Sequence, residues 1–439
     1  MIDSQTRQMI SYSEALEILN TIEVKALPTE KIVFNQSLGR ILARDIRAKH
    51  NVPPVPTSAM DGFAVRFDDV LALQKAQQQA QEKGESAGQS DGLKIQARNQ
   101  AGSEELYTLE STSAIRTYTG SRMPLDSDTL LLVEDIEEFE KDNARYIRLK
   151  DAGQILKRAQ WVRQVGDNYK KDEILIPKGT RISPFEIGIL ADNNEVFIEV
   201  FARARVGILS IGDEIIEVGE ESDRTNALRS VNNHLLGALV ETLGHTSVLF
   251  PKVGDDKEAI RAFYKSALEQ CDVLVTTGGM SVGDFDFTKE IMKQECKIVF
   301  KGVRLKPGKP VAYGIYHNAQ KQTHIFGLPG YPNSCAATFL LFARVILARL
   351  CETSAPELIL NATLLEDLKR TDSRMEFRAC EVKVESGALQ VSCASKKSLQ
   401  SSMINNLGAH TAFIILEENG GDLPKGASVK VLLFRDILG

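Results

Sequence analysis

The sequence predicts an α/β plus β protein of several domains, in which a doubly wound, three-layer α/β domain stands beside small β domains and an N-terminal helical segment. Three observations predict it. At 439 residues the chain exceeds what one hydrophobic core organises, so roughly two to four domains are expected. Beyond residue 205, apolar β-branched runs at 206–211 and 273–277 alternate with helical periodicity, the pattern of a sheet buried on both faces. On either side of that region, short segments alternate apolar and polar residues, as half-buried strands do.

Taken in order, residues 12–22 carry apolar positions at helical spacing, and a second such run ends near Ile46, before Pro53, Pro54 and Pro56. Alternating strands follow at 63–67, 113–118, 129–134 and 146–149. Between the first two lies a Gln-rich stretch, 74–92, without alternation or a dense apolar face, which reads as a mobile surface insertion. In the α/β region helices are expected at 233–242, closed by Gly244, at 255–270, with Asp255 and Glu258 as a capping box, and at 286–295. Further strands are expected at 297–300 and 311–316, then a packed helix at 336–350, interrupted by Arg344 and Arg349 and too short to span a bilayer. The segments 377–384, 389–393, 412–416 and 428–433 make a compact C-terminal β domain. The expected domains are 1–50 with 160–204, 51–159, 205–351 and 352–439.

Composition narrows the function. Lys and Arg number 53 against 59 Asp and Glu, a net charge of −6, so a nucleic acid would meet overall repulsion and only a local basic site could bind anions. The N-terminus MIDSQTRQMI lacks the apolar core of a secretory signal, which points to the cytoplasm and away from membranes. The six cysteines form no CxxC pair, so neither a zinc site nor a disulfide framework is expected.

The densest motif is VLVTTGGMSVGDFDFTK at 273–289, a strand, a glycine-rich turn and a helix. Gly278, Gly279 and Gly283 permit close backbone approach, and Ser281 and Thr277 add hydroxyls at the positive end of the helix dipole, a phosphate cradle. Asp284 and Asp286 face the same mouth. Capping explains one aspartate; a hard cation such as magnesium between phosphate and carboxylates explains both. Gly279 to Gly283 also fits the G-x-S-x-G elbow of serine hydrolases, but only His317, His324 and His410 follow it, none in a recognisable triad loop.

In LKPGKP, Lys306 and Lys309 sit on a loop stiffened by Pro307 and Pro310, suited to a compact dianion. No Walker A motif is present. LPGYPNS leads into the helix at 336–350 with Asn333 or Ser334 as N-cap, another anion-binding start. LSIGDE ends a buried strand in Asp213 and Glu214, able to meet a heterocycle or a cation. In the N-terminal half, Asp61 in SAMDGFAV, Thr119 in TGSRMP and Asp167 in VGD occupy polar turns.

Together with a late SRMEFR at 373–378, these pieces, in this order over nearly the whole chain, resemble the molybdopterin molybdenumtransferase family, which includes the E domain of gephyrin. The resemblance implies an elongated, four-part homodimer with clefts between subunits. It also implies a reaction, in which adenylylated molybdopterin and molybdate give molybdenum cofactor and AMP, with magnesium. By motif, Asp286 and Glu214 would serve the metal and pyrophosphate cleavage, and Gly278, Gly279, Ser281 and Asp213 the pterin nucleotide. Lys306, Lys309, Pro310, Ser334, Arg374 and Ser401 or Ser402 would gather molybdate, while Asp61, Thr119 and Asp167 would reach the partner's cleft. Ile211 stands where the pattern has Thr, Ser230 where it has an acid, and Tyr331 and Asn333 vary the last loop. A scaffold without turnover is the alternative from another class.

Overall fold

The computed structural model describes residues 7–83, 92–254, 256–278, 287–318, 321–355, 357, 359–396, 403–408 and 411–433. The chain divides into two compact units, one of 1–44, 178–191 and 195–439, the other of 45–177 and 192–194.

The larger unit is built on a seven-stranded sheet, ordered Arg7–Ile10, Lys297–Val303, Ala312–His317, Gln322–Leu328, Val273–Thr277, Arg205–Ser210, Thr246–Leu249. The last four run parallel, whereas Ala312–His317 is antiparallel to both its neighbours, so the sheet is mixed. The reason is connection length: the turn from His317 to Gln322 closes with the Asn318 amide donating to the Lys321 carbonyl, and so short a link can join only antiparallel strands. Side chains alternate between two apolar layers. Val206, Ile208, Val273, Val275, Phe326 and Leu328 pack with helices Tyr12–Thr21, Val231–Thr242 and the helical run 332–350. Leu209, Leu274 and Ile325 pack with Lys257–Gln270 and Phe287–Glu295.

Several expectations are corrected here. The N-terminal helical segment is a single helix, Tyr12–Thr21, capped by a Ser11–Glu14 box, and it is preceded by an edge strand of the large sheet. The second helical run is instead the strand Thr29–Val33, paired antiparallel with Phe197–Phe201; a partner 160 or more residues away overrides the local periodicity. The cap of Lys257–Gln270 is Asp256, whose side chain accepts from the Ala259 amide at 2.7 Å. The helical run Pro332–Leu350 has 19 residues, enough in length and composition to cross a membrane, but it is a core helix with 89% of its apolar window buried.

From 359 the chain forms a closed ring: Met375–Glu385 pairs with Ala388–Ser392 and with Thr411–Leu416, and the circuit is completed through Ile359–Leu364 and Ser428–Leu433. Ala362, Leu364, Cys380, Val391, Ile414 and Val431 fill it. Leu305–Lys306, on the far side of the large sheet's last crossover, joins this barrel as a parallel partner of Met375–Glu376.

In the smaller unit a six-stranded sheet packs Phe63, Val65, Leu93, Ala114, Leu131 and Ile147 against Val70 and Leu73 of helix Phe67–Glu82. The Gln-rich stretch is therefore ordered helix up to Glu82. Its carboxamides serve the backbone: Gln77 donates to the Leu149 carbonyl at 3.0 Å and accepts from the Leu149 amide at 3.2 Å, and Gln74 and Gln78 both donate to Ala152. Residues 84–91 of that stretch lie outside the described residues.

Candidate functional site

Three of the motifs meet at the carboxyl ends of the central parallel strands, where ligand crevices of open α/β sheets lie. The Ile211 amide donates to the Thr277 carbonyl at 3.0 Å. Gly278 follows with φ +88°, and a Cβ there would overlap the Ile211 carbonyl oxygen, so the TTGG turn requires glycine at this position. Gly330 lies against it, its own Cβ position 3.7 Å from the Gly278 Cα, and Asn232 Nδ2 donates to the Gly330 carbonyl at 2.7 Å. Beneath them Ser210 Oγ bonds Asn233 Oδ1 at 2.6 Å and Thr277 Oγ1 at 3.0 Å. Ser230 Oγ, Asn232 Oδ1 and Asn333 Oδ1 are buried oxygens without a hydrogen-bond partner. Ile211 turns into the apolar layer with Val253 and Ile260, so the hydroxyl that the family pattern would supply is replaced by packing.

Glu214 folds back over the same loop, its Oε1 lying 2.8 Å from where a Gly212 Cβ would be, whereas the exposed Asp213 turns to Gly254. Among the described residues, no three His, Cys, Asp or Glu side chains gather as a metal-binding set. Gly279, Ser281, Asp284 and Asp286 lie outside the described residues, as do Ser401 and Ser402. Of the histidines that could have completed a hydrolase triad, His324 is in register with Val273, four residues or roughly 13 Å of strand before the turn after Thr277. It is fully buried, with Nδ1 2.8 Å from the Tyr313 hydroxyl, and burial pushes its pKa down to about 3. His317 pairs with Gln322, still nearer that remote end. Neither described histidine that follows the elbow in sequence therefore lies at the turn after Thr277; His410 lies outside the described residues.

The lysine loop packs on the first turns of helix Pro332–Thr338. Gly308, at φ +112°, lies against Thr338, whose Cγ2 would overlap a Cβ, and Thr338 Oγ1 donates to the Ser334 carbonyl at 2.8 Å. The helix starts from Tyr331 without a side-chain cap; Pro332 occupies the first turn, and Asn333 and Ser334 are buried just inside it, which corrects the expected N-cap. The return past Pro310 is fixed by the Val303 amide on the Lys309 carbonyl and the Gly302 amide on that of Val311.

The two lysines differ. Lys306, with its side chain 20% exposed, reaches the barrel: its ammonium is 3.6 Å from the buried Glu376 carboxylate and 3.3 Å from Thr371 Oγ1. Lys309 is exposed and has no ion-pair partner among the described residues. Glu376 also receives Arg378 in a two-armed pair, at 2.8 and 3.0 Å. Arg374, two residues before Glu376, is paired with Asp372, whose carboxyl is held far below the usual carboxylate range chiefly by the Arg374 hydrogen bonds. Glu376, Asp372 and Thr338 had escaped sequence reasoning, although the alternation Asp372, Arg374, Glu376, Arg378 is a legible sign of an ion-paired strand.

In the smaller unit the Asp61 carboxylate accepts from both the amide and the hydroxyl of Thr119, each at 2.8 Å, which lowers its pKa. Asp167 is exposed and accepts from the Gln164 amide at 2.6 Å. Asp61 and Thr119 thus form one exposed constellation, with the Arg116 guanidinium stacked on the Phe63 and Tyr118 rings beside it.

Two family models match the chain: the MoeA N-terminal region (domain I and II) over residues 10–193 and a probable molybdopterin binding domain over 207–349. Among curated relatives, a molybdopterin molybdenumtransferase of Haemophilus influenzae is 28% identical over 417 residues, 94% of this chain and 95% of that one. One from a Nostoc species is 30% identical over 323 residues, covering 73% and 69%. A solved molybdopterin biosynthesis MoeA protein of Pyrococcus horikoshii OT3 superposes with a TM-score of 0.78 at 25% identity, over 97% of this chain and all of that one.

Proposed function

We propose that this chain, which belongs to the molybdopterin molybdenumtransferase family, transfers molybdenum from molybdate into adenylylated molybdopterin with release of AMP. It would do so in the cytoplasm as a homodimer. One phosphoanhydride bond breaks, with water taking the adenylate as AMP, and the two dithiolene sulfurs, giving up their protons, replace two oxygens of the molybdate, which take up protons and leave as water, the molybdenum keeping its oxidation state.

The observation that carries the reading is the pairing of Leu305–Lys306 with Met375–Glu376, because it sets the lysine loop and the SRMEFR segment side by side. With Gly308 seated on Thr338 next to Ser334, three segments distant in sequence supply cations and a helix start to one small region. In this reading Lys306, Lys309, Pro310, Ser334, Arg374 and Ser401 hold the oxyanion. Of these, Lys306 is already held by Glu376 and Thr371, so little reorganisation is needed there when charge builds up.

Gly278, Gly279 and Ser281 cradle the nucleotide phosphates, and Asp213 meets the heterocycle. The junction of Gly278 with Gly330 supports this, since neither residue there carries a side chain between the two segments. Glu214 and Asp286 would hold magnesium together with substrate phosphates, a donor set of two carboxylates that suits an ion which keeps part of its shell for substrate. Bound there, the ion would offset the phosphates' charge. Asp61, Thr119 and Asp167 serve a cleft of the dimer, for which the exposed Asp61–Thr119 pair is suited. Incubation with adenylylated molybdopterin, magnesium and molybdate is expected to release AMP, followed by chromatography; release that molybdate does not stimulate rejects the reading.

A further inference from the structure

The Arg374 fork is occupied by the chain itself. Its Nε donates to the two carboxylate oxygens of Asp372 at 2.8 and 2.9 Å, and its Nη2 bonds Oδ2. Nη1 is turned to the Leu305 carbonyl at 3.2 Å. The Arg374 amide also donates to Asp372 Oδ1, at 3.0 Å, so the carboxylate closes a tight turn of its own. A planar carboxylate in a guanidinium fork uses the same donors that two oxygens of a tetrahedral oxyanion would use.

We propose that Asp372 is a built-in competitor for the oxyanion: its carboxylate holds the Arg374 fork until a tetrahedral dianion displaces it. This rests on the oxyanion role given above to Arg374 and Lys306. Of the two acids near these cations, only Asp372 is free to leave. Glu376 is 2% exposed and held by Arg378 as well as Lys306, whereas the Asp372 side chain is 22% exposed and sits in the turn between Thr371 and Ser373. Displacement sets a threshold in charge. Lys306 acts on Asp372 electrostatically, Lys309 adds a cation three residues on in the same loop, and a doubly charged ligand gains more from both than the single carboxylate it replaces. A singly charged tetrahedral ion gains no such advantage, so the competitor filters by charge before size or metal chemistry enters.

The test is titration calorimetry of molybdate and of perchlorate, a tetrahedral monoanion, into the full chain and into Asp372→Asn and Asp372→Ser, with thermal unfolding of each. Both replacements keep an oxygen able to accept from the Arg374 amide and so preserve the turn. Molybdate is expected to bind each variant about fivefold more tightly, the scale of a partly exposed ion pair, and perchlorate to bind only the variants. Unchanged, weaker or undetectable molybdate binding in a folded variant overturns the proposal, and so does failure of both variants to fold, which would make Asp372 a structural residue. These affinities do not depend on turnover: the functional reading falls separately, if the unsubstituted protein releases AMP without regard to molybdate.

Discussion

The Lys306 ammonium stands 3.6 Å from a carboxylate that has almost no contact with water, that of Glu376, and this one acid also neutralises Arg378. Two cations thus depend on it. Replacing Glu376 by Gln removes the charge while keeping the shape, and leaves Arg378, itself 6% exposed, as an uncompensated buried cation. The expected loss is about 3 kcal/mol of stability, read from urea unfolding, since breaking one side of a buried pair costs far more than an exposed pair contributes. A loss below about 1 kcal/mol would show that water reaches the pair.

Lys309 behaves oppositely. Lys309→Ala removes an exposed side chain without an ion-pair partner among the described residues, so stability is expected to stay within about 0.5 kcal/mol of the parent. Molybdate-stimulated AMP release should nevertheless need on the order of tenfold more molybdate, because a charge-assisted contact to a desolvated anion contributes roughly 1.5–3 kcal/mol. Equal half-saturation in the two proteins would remove Lys309 from the site.

Gly278 and Gly120 offer a controlled pair. Both have positive φ, +88° and +79°, but a Cβ on Gly278 meets the Ile211 carbonyl oxygen whereas one on Gly120 has nothing within 4 Å. Gly120→Ala is expected to cost only the backbone strain, about 1–2 kcal/mol. Gly278→Ala must also displace the strand end that carries Asp213 and Glu214, and AMP release is expected to fall at least about tenfold. Matching kinetics for the two variants would argue against a role for the Gly278 turn.

Two buried histidines set the acid limit. Burial pushes His245 down to about 4 and His324 to about 3, with Arg181, Arg203 and Arg40 adding to the effect at the first and His317 and Arg349 at the second. Folded-state values below the unfolded value mean that the unfolded chain binds protons first, so this contribution is complete above pH 6.5 and shrinks as the pH falls toward 4 and then 3. Between pH 7 and pH 5 each histidine should cost about 2 kcal/mol, and His245→Gln should flatten the profile by its share. The check is a series of urea unfolding curves. His245 Nδ1 accepts the Ala204 amide at 3.2 Å, which the Gln side chain can also do.

What could be read in advance followed the range of the interactions that decide it. Runs such as 206–211 and 273–277 announce buried strands because every residue contributes the same preference, and the Tyr12–Thr21 helix announces itself through apolar positions at helical spacing. Thr29–Val33 and Arg7–Ile10 did not, because their pairing is fixed by Phe197–Phe201 and Lys297–Val303, which no local window contains. The Gln-rich helix hid for a different reason: its amides bond to backbone carbonyls at 149–154, a use of polar side chains that composition scores as exposure. At the site, the motifs located the cations, but the acid that engages Lys306 lies 70 residues on, across a strand pairing that only the folded barrel creates.

Leu305–Lys306 belongs to the barrel by hydrogen bonding, while Gly308, two residues on, is wedged against the long core helix. Any tilt of the barrel is therefore transmitted as a change in the spacing between Lys306 and the helix start. Substitutions deep in the barrel, at Val391 or Ile414 for example, need not unfold anything to be felt. Under the proposed reading they would retune how firmly an oxyanion is gripped, so that the interior of the C-terminal barrel would act on the chemistry through Lys306.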